Sequence, residues 1–510
     1  MIAFAWTARR GRRRGHQRPG SRRRSTGSVI ASGYGRNATN SGRVTRPTRP
    51  PTAPLTSGVV RYGGDVVTYD DLTLEDLQVR TLGEPTFDSP LAEYVADRTT
   101  NAYYVAEDDR VLVDDTITLL QRRGDITLSE VPSYEPGGPR RKIFFDPATT
   151  KAGIVTCGGL CPGLNDVIRA LVLELFEHYG VTDVIGFRNG YAGLVPGAAP
   201  DPIELTPSFV KTIAERGGTV LGSSRGSQDV GVMVDNLVDK GVDILFVIGG
   251  DGSMRGAHAI AEEVTRRGLP IGVVGVPKTI DNDIPLIGTS FGFQTAYAKA
   301  AESIKAARVE VEAAINGVGV VKVMGRHAGF VACYSALANH DADFVLIPEV
   351  PFTLEGENGL LAQLRKRVRE RGSAVIVLAE GAGQDLIPAS RRTDASGNQI
   401  LGDFSGFLRA QIARDFKNRD EPLTLRHFDP GYIIRSVPAD PADSVYCTRL
   451  AQAAVHAAMA GRTDMVVGRP RHRFAHLPIE EVTKRTQQVN PDGDLWLSVM
   501  ESTAQPLTMR

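Results

Sequence analysis

Seven short segments rich in β-branched residues follow Lys151, and they constrain the fold more than any other feature of the sequence. They read AGIVTC, TDVIGF, DILFVIGG, IGVVGVP, GVGVVKV, DFVLIPE and SAVIVLAEG. Amphipathic stretches of roughly 10 to 18 residues with helical periodicity separate them. This alternation is typical of parallel sheets that helices cover on both faces. The sequence therefore predicts an α/β fold with mainly parallel sheets.

Composition and cysteine content narrow the class of protein. The chain has 510 residues, of which 42% are hydrophobic and 23% charged, which is enough for two or more domains with their own cores. Its four cysteines form no disulfide framework, which favours a reducing cytoplasm. The longest apolar runs have strand length and fall short of the roughly 18 residues that span a bilayer. We therefore expect a cytoplasmic protein without a membrane span.

The amino-terminal 64 residues differ in composition from the remainder. They contain 14 arginines and no acidic residue, and they lack hydrophobic periodicity. We predict a disordered Arg-rich extension at 1–64, which is dispensable or is translated from upstream of the true start. A transit peptide and a nucleic-acid-binding arm are the alternatives, although no nucleic-acid partner is expected. Residues 65–150 are irregular and are predicted to form an N-terminal extension that packs on the core.

Glycine-rich loops follow the first and third of the predicted strands. GGLCPGLNDVIR has glycines that let backbone N–H groups approach an anion, and Asn165 or Asp166 is predicted to cap the helix after it. GGDGS places Asp251 among glycines, a pattern that favours phosphates with a Mg²⁺ beside them, and Ser253 is predicted to start the helix that follows. The first loop fits neither G-K-[ST] nor G-x-G-x-x-G. A tight turn and a helix cap are the structural alternatives.

Two further loops add an arginine and two aspartates. GGTVLGSSRGS contains Arg225, a candidate clamp on a phosphoryl group, although a lone arginine in a loop is more often solvated. PKTIDND follows the strand IGVVGVP and carries Asp281 and Asp283. Residues two apart in an extended segment share a face, so both carboxylates are predicted to enter one cleft. The alternative is a pair of aspartates in a surface turn.

Together with VKVMGRHAGF, LIPEVPF, LAEGAGQ and YIIR, these motifs resemble the phosphofructokinase family over about residues 130–470. The order and spacing are closest to its plant and trypanosomatid-like ATP-dependent branch. The resemblance implies transfer of the ATP γ-phosphoryl group to O1 of fructose 6-phosphate, with Mg²⁺ as cofactor. It also implies glycolysis, allosteric control and a homotetramer.

The same resemblance implies roles for individual residues. Asp281 corresponds to the proton acceptor, Arg225 to the arginine that neutralises charge on the transferred group, and Thr279 to part of the catalytic substrate loop. Mg²⁺ is expected on Asp251 and Asp283. The donor phosphates are expected on Gly159, Arg225, Gly226, Gly250, Asp251, Gly252, Ser253 and Lys278. The sugar phosphate is expected on Thr279, Ile280, Asp281, Met324, Gly325, Arg326, Glu380, Arg426, Tyr432 and Arg435.

Two positions depart from parts of the family pattern. Gly317 stands where bacterial relatives have an arginine, so another cation must replace it, and Lys322 and Lys278 are candidates. Lys278 is similar to pyrophosphate-dependent relatives, but those usually have an aspartate at the place of Gly252. Glycine leaves room for the α-phosphate of ATP, so ATP is the expected donor. Pyrophosphate-dependent transfer and an inactive phosphate-binding regulatory subunit remain the alternatives.

The resemblance also implies a domain organisation of two interleaved three-layer domains with the active site in the cleft between them. The ATP-Mg-binding domain is expected at 151–287 with about 436–490, the fructose 6-phosphate-binding domain at 288–435, and a C-terminal tail at 491–510.

Overall fold

Two sheets organise the chain in a computed structural model that describes residues 72–91, 104–117, 127, 130–389, 392–393 and 399–510. The described residues all belong to one compact unit. The extension predicted at 1–64 lies outside the described residues. Within the described part, no helix combines the length and the apolar character that a membrane crossing requires.

The strands are short, and their bounds follow the sequence segments closely. They are β1 (Arg80–Thr81), β2 (Phe87–Asp88), β3 (Val111–Leu112), β4 (Ser133–Pro136), β5 (Lys142–Ile143), β6 (Lys151–Thr156), β7 (Asp183–Phe187), β8 (Ile203–Glu204), β9 (Ile244–Gly249), β10 (Gly272–Pro277), β11 (Gly317–Val323), β12 (Phe344–Leu346), β13 (Ser373–Ala379), β14 (Thr424–Phe428), β15 (Arg462–Thr463), β16 (Met465–Gly468) and β17 (Ala475–Pro478).

The helices lie between these strands and after the last one. They are α1 (Leu164–Leu173), which continues as a π-helical turn at Glu174–Tyr179, α2 (Pro207–Val210), α3 (Val230–Asp239), α4 (Asp251–Arg266), α5 (Phe293–Glu312), α6 (Phe330–Leu337), α7 (Leu360–Arg371), α8 (Phe404–Lys417), α9 (Gly431–Ser436), α10 (Pro441–Met459), α11 (Ile479–Thr483) and α12 (Asp494–Thr503). Short 3₁₀ turns occupy Glu75–Leu77, Gly190–Leu194, Ile213–Glu215, Gln384–Leu386 and Pro470–His472.

The larger sheet has nine strands among the described residues, in the order β3-β4-β17-β16-β10-β9-β6-β7-β8. Its centre, from β16 to β7, is parallel, and the pairings outside it are antiparallel. All residues of β9 and β10 are buried, as expected of strands covered on both faces. Pro277 pairs with Gly249 in the register of these two strands, so their carboxyl ends lie side by side.

The smaller sheet has the order β12-β13-β11-β14 and is parallel throughout. Val323 pairs with Ala379 at the carboxyl ends of β11 and β13. The predicted α/β class with mainly parallel sheets is therefore confirmed, and the antiparallel edges of the larger sheet are an addition to it.

Two helices begin differently from the sequence prediction. The N-cap of α1 is Gly163, at φ 93°, and neither Asn165 nor Asp166 caps it. Asn165 instead bonds the backbone of Arg216 and Val220, while Asp166 accepts a bond from Ser444. Helix α4 begins at Asp251, which is two residues before Ser253. In both cases the glycine loop itself supplies the turn, so no side-chain cap is needed.

A buried carboxylate on α10 holds the start of α5. Asp443 Oδ1 accepts the N–H of Gly292 at 3.0 Å, and its Oδ2 accepts the N–H and hydroxyl of Thr295 at 2.7 and 2.6 Å. The side chain is fully buried, and burial raises its pKa despite these bonds. Since N–H groups at a helix start have no partner within the helix, Asp443 satisfies donors that would otherwise be buried and unpaired.

Replacing Asp443 with alanine should therefore lower the free energy of unfolding by about 3 kcal/mol, because it leaves several buried donors without acceptors. Asp229→Ala is the matched control, since Asp229 accepts one bond, from Val232, at the exposed start of α3 and its loss should cost only about 1 kcal/mol. Urea unfolding followed by circular dichroism measures both values. Equal losses in the two variants would contradict the role given to Asp443.

Candidate active site

The carboxyl ends of β6, β9 and β10 bring three polar loops together. Gly158, at φ 84°, follows β6, and the amine of Lys278 after β10 donates to the carbonyl oxygen of Gly159 at 2.7 Å. A Cβ atom at Gly159 would lie 3.5 Å from Nη2 of Arg225. The lysine is buried, and burial lowers the pKa of its ammonium group. The predicted convergence of glycine loops, Lys278 and Arg225 is thus present.

The space beside Gly252 is open. A Cβ atom at this position would meet no atom within 4 Å, whereas one at Gly250 would lie 3.1 Å from the carbonyl oxygen of Lys278. Both residues stand at the amino end of α4, where backbone N–H groups and the helix dipole favour an anion. The loop can therefore accept phosphate oxygens close to its backbone.

The segment from Lys278 to Ile284 is a compact turn and not the extended stretch that was predicted. The Thr279 hydroxyl donates to Asp283 Oδ1 at 2.8 Å and accepts the N–H of Asp281 at 3.1 Å. Asn282 has a left-handed backbone at φ 55°. Ser290 fixes the turn, because its hydroxyl donates to the carbonyl oxygen of Thr279 at 2.6 Å and its N–H to Asn282 Oδ1 at 2.9 Å.

Asp281 is the most perturbed carboxyl group of this loop. Burial raises its pKa well above the ordinary value, and the charges of Asp283 and Glu380 raise it further against the opposing effect of Lys278 and Arg326. Its Oδ1 atom is buried and has no hydrogen-bond partner within the described residues. An unpaired buried carboxylate oxygen is costly, so this atom is suited to accept a proton from a bound molecule.

Asp251 and Asp283 form a second acidic pair. Burial is the largest cause that raises the pKa of each, and the charge of Asp283 raises that of Asp251 further. Asp251 also makes an ion pair with Arg255, one turn along α4. The two carboxylates come from loops after different strands, and they are the pair on which the family resemblance led us to expect Mg²⁺.

The smaller sheet contributes the opposite wall. Met324, Gly325 and Arg326 follow β11, where Gly325 has φ 122° and accepts the N–H of Gly381 at 3.0 Å. Glu380 follows β13, and burial raises its pKa against the charges of Lys322 and Arg326. Because the charges of Glu380 and Arg326 both shift the pKa of Asp281, the carboxyl ends of the two sheets face one site.

The remaining predicted residues lie further out on the smaller sheet. The charge of Arg435 lowers the pKa of Glu380. The guanidinium carbon of Arg435 lies 4.7 Å from the centre of the Tyr432 ring. Tyr432 is 77% exposed. Arg426, on β14, is half exposed and pairs with Glu310 at 3.8 Å. Of the two lysines considered as replacements for a cation at Gly317, Lys322 pairs with Asp429 at 2.8 Å.

Sequence reasoning missed a carboxyl-terminal segment, residues 483–489, that contacts the same loops. The N–H of Gln487 donates to the carbonyl oxygen of Asp283 at 2.7 Å, and the side chain of Gln488 donates to that of His327 at 2.9 Å. Glu349 accepts the N–H groups of Gly329 and Val489, both at 2.8 Å. Most of these contacts use backbone atoms, which produce no recognisable sequence pattern. Only Glu349, in the LIPE segment, could have been identified from the sequence.

The site lies where the carboxyl ends of two sheets face each other, with glycine loops on one side and a buried carboxylate between them. This arrangement defines the site of a phosphotransferase. The sequence profile of the phosphofructokinase family matches residues 151–458. The chain is 55% identical over 442 residues to the ATP-dependent 6-phosphofructokinase of Amycolatopsis methanolica, covering 85% of this chain and 96% of the relative. It is 44% identical over 427 residues to the chloroplastic ATP-dependent 6-phosphofructokinase 4 of Arabidopsis thaliana, covering 83% and 79%.

Solved structures share the fold. The pyrophosphate-dependent phosphofructokinase of Marinobacter aquaeolei has a TM-score of 0.58 at 21% identity, with 71% of this chain and 92% of that chain covered. Pichia pastoris phosphofructokinase in the T-state has a TM-score of 0.55 at 24% identity, with 69% and 39% covered. The chain therefore belongs to the phosphofructokinase family, as its motifs predicted.

Substituting Asp281 with asparagine should stabilise the fold at neutral pH. Because the folded-state pKa of Asp281 is raised, its ionisation favours unfolding, and stability is lost as the pH rises from the ordinary aspartate value, about 3.9, through the raised value. The difference between variant and parent in urea unfolding should thus grow over this range and vanish below it. Asp239→Asn, at an exposed position on α3, should leave the curve unchanged. A variant less stable than the parent at neutral pH would contradict the assignment.

Proposed function

We propose that the chain transfers the γ-phosphoryl group of ATP to O1 of fructose 6-phosphate, giving fructose 1,6-bisphosphate and ADP. The observation that carries this proposal is the buried, unpaired carboxylate oxygen of Asp281, between the glycine loops of one sheet and Arg326 and Glu380 of the other. A base at that junction stands between a phosphoryl donor and a sugar hydroxyl. Its relatives carry the name ATP-dependent 6-phosphofructokinase, which agrees with this assignment.

In the reaction, Asp281 takes the proton of the O1 hydroxyl as that oxygen attacks the γ-phosphorus. Its raised pKa makes it a stronger base than an ordinary aspartate, and the Thr279 hydroxyl holds its backbone N–H in position. Arg225, beside Gly159, neutralises negative charge that develops on the transferred group. Phosphoryl transfer depends chiefly on such positioning and electrostatics, and no covalent nucleophile is required.

The donor binds at the loops after β6 and β9. Backbone N–H groups at the start of α4 and the open space at Gly252 receive the phosphates of ATP. The amine of Lys278 already donates to the carbonyl oxygen of Gly159, so this lysine orders the donor loop. The donor-binding set is that expected from the sequence: Gly159, Arg225, Gly226, Gly250, Asp251, Gly252, Ser253 and Lys278.

Asp251 and Asp283 fit a Mg²⁺ ion. Carboxylate oxygens are the ligands that Mg²⁺ prefers, and the two groups lie near enough for the charge of Asp283 to raise the pKa of Asp251. Two neighbouring partly buried carboxylates repel one another, and a cation relieves that repulsion. When bound, the ion supplies positive charge beside the donor phosphates. The chain's own part is to hold Asp283 through Thr279 and Asp251 beside Arg255.

The sugar phosphate binds along the carboxyl edge of the smaller sheet. Glu380 is placed to accept a sugar hydroxyl, and the guanidinium groups of Arg326 and Arg435 provide positive charge for the 6-phosphate side. The complete set is Thr279, Ile280, Asp281, Met324, Gly325, Arg326, Glu380, Arg426, Tyr432 and Arg435. Arg426 and Tyr432 are exposed in the single chain. Their participation is accordingly proposed to occur across an interface within a homotetramer.

The two-domain arrangement belongs to the same proposal. The larger sheet with its returning strands corresponds to the ATP-Mg-binding domain and the smaller sheet to the sugar-phosphate domain. The supporting observation is that donor loops follow β6, β9 and β10, whereas most of the sugar-side residues lie on β14 or follow β11, β13 and β14. Thr279, Ile280 and Asp281, which follow β10, are the sugar-side residues of the larger sheet. A role in glycolysis follows from the reaction proposed, and a cytoplasmic location is proposed from the cysteine content.

A coupled assay with purified protein, fructose 6-phosphate and Mg²⁺ tests the function and the donor together. ATP should support turnover at a rate at least tenfold above that with pyrophosphate. Asp281→Asn is the matched control, and it should reduce turnover by about a thousandfold while sugar-phosphate binding persists, because only the base is removed. Faster turnover with pyrophosphate would reassign the donor. No turnover with either would favour a regulatory, binding-only subunit.

Gly252→Asp should abolish most use of ATP without unfolding the protein. The position has free space and a backbone that any residue can adopt, so stability should change by less than about 1 kcal/mol at this helix amino end. A carboxylate there repels the donor phosphates, and kcat/KM for ATP should fall by about a hundredfold or more. Gly252→Asn is the control of equal size without charge. An equal loss in both variants would show that volume, and not charge, excludes the donor.

A further inference from the structure

A basic patch outside the active site has no assigned task. It consists of Arg449 on α10 and of Arg469 and Arg473 on either side of the 3₁₀ turn Pro470–His472. Arg449 and Arg469 lie over the ring of Phe474, and Arg473 precedes it in the chain. None of the three arginines makes an ion pair with a carboxylate in the described ranges, and Arg469 Nε donates to the carbonyl oxygen of His472 at 3.3 Å. Together with Tyr446 these residues are called the Phe474 patch.

Two of the guanidinium groups gather on one aromatic ring. The guanidinium carbon of Arg449 lies 5.1 Å from the centre of the Phe474 ring, and that of Arg469 lies 5.7 Å from it. The Tyr446 ring stacks on the same phenylalanine, at 6.2 Å between ring centres with 17° between planes. The ring orients the two cations, but it does not neutralise them. Two like charges held together without a counterion favour binding of an anion.

Arginines paired with carboxylates elsewhere in the chain show the contrast. Arg462 contacts Glu135 and Glu107 at 2.8 and 2.7 Å, and Asp343 pairs with Arg308, Arg367 and Arg371. In those clusters the carboxylates are supplied by the protein. At the Phe474 patch Arg449 and Arg473 are exposed, so a dissolved anion can reach them. An anion from solvent can therefore supply the negative charge that the protein does not.

The patch is bonded to the segment that anchors the catalytic loop. The N–H of Arg469 donates to the carbonyl oxygen of Ile287 at 2.8 Å, and the Tyr446 hydroxyl donates to that of Thr289 at 2.5 Å. The next residue, Ser290, holds Thr279 and Asn282 through the bonds described above. Displacement of either patch residue would thus be passed on to the Asp281 turn through one short stretch of backbone.

We propose that the Phe474 patch binds a small phosphate-bearing anion and that its occupancy alters the Asp281 turn. The planar fork of arginine donates paired hydrogen bonds to phosphate oxygens, which suits inorganic phosphate or a phosphorylated metabolite equally. None of the proposed catalytic or binding residues belongs to the patch, so this inference goes beyond the proposed function.

Inorganic phosphate is the probe. The protein is first saturated with fructose 1,6-bisphosphate and Mg-ADP, so that the phosphate positions of the active site are filled, and thermal unfolding is followed as phosphate replaces chloride at constant ionic strength. The midpoint should rise with phosphate. In the double variant Arg449→Gln and Arg469→Gln the apparent Kd should rise at least about tenfold. Lys211→Gln, at an exposed lysine without an ion pair in the described part, is the control for loss of a positive charge elsewhere on the surface and should respond as the parent does.

A second readout tests the connection to the catalytic loop. Phosphate should change the KM for fructose 6-phosphate in the parent and in Lys211→Gln, and this change should be smaller in the double variant. Arg449→Lys with Arg469→Lys keeps the charge without the fork and should bind with intermediate affinity. An equal phosphate response in parent and double variant, or none in the parent, overturns the proposal. So does a change of oligomeric state in the double variant on size-exclusion chromatography. Unfolding midpoints require no turnover, so failure here is distinguishable from failure of the proposed function.

Discussion

The hydrogen bonds that Asp443 accepts fix the part of the fold on which the active site depends. They hold Gly292 and Thr295, at the start of α5, against the returning helix α10. Gly292 lies two residues after Ser290, which in turn anchors Thr279 and Asn282. A residue more than 150 positions away in the sequence thus determines where the turn containing Asp281 lies. The active site is therefore built from contacts between distant segments, and its loop sequence alone does not hold it.

The carboxyl groups of the active site lower the free energy of unfolding. Asp251, Asp281, Asp283 and Glu380 are all carboxyl groups whose pKa is raised first by burial, and two of them raise the pKa of a neighbour further. Ionised carboxylates brought together in this way oppose folding at neutral pH. The fully buried parallel strands β9 and β10 and the paired arginine clusters offset that cost. Glycines at the strand ends add conformational freedom where phosphates must approach the backbone.

Much of this arrangement was predictable from the sequence, and the exceptions have physical causes. Strand segments such as ILFVIG and SAVIVLA are buried throughout, so composition and length identified them, and the predicted fold class and family are confirmed. The caps of α1 and α4 were predicted wrongly because glycine loops replaced side-chain caps. The Asp281 turn was predicted as extended because it follows a strand directly, although Asn282 is of a residue type that adopts the left-handed backbone more readily than most. Asp443 and the segment 483–489 act through distant contacts, often with backbone atoms, which no local pattern encodes. The individual site roles and the domain bounds stay predictions.

Helix α10 connects these observations, because Asp443, Tyr446 and Arg449 occupy successive turns of it. The first bonds the start of α5, the second bonds Thr289, and the third lies against Phe474. The first two contacts lie on the stretch from Ile287 to Thr295. The third reaches that stretch only through Arg469, which lies over the same Phe474 ring and donates its N–H to Ile287. Under the proposal made for the Phe474 patch, a change of charge at the solvent-facing end of this helix face would act on the Asp281 turn through these contacts, without a rearrangement of the two sheets. The contacts supply a continuous path, and the phosphate titration of the double variant tests whether it carries coupling.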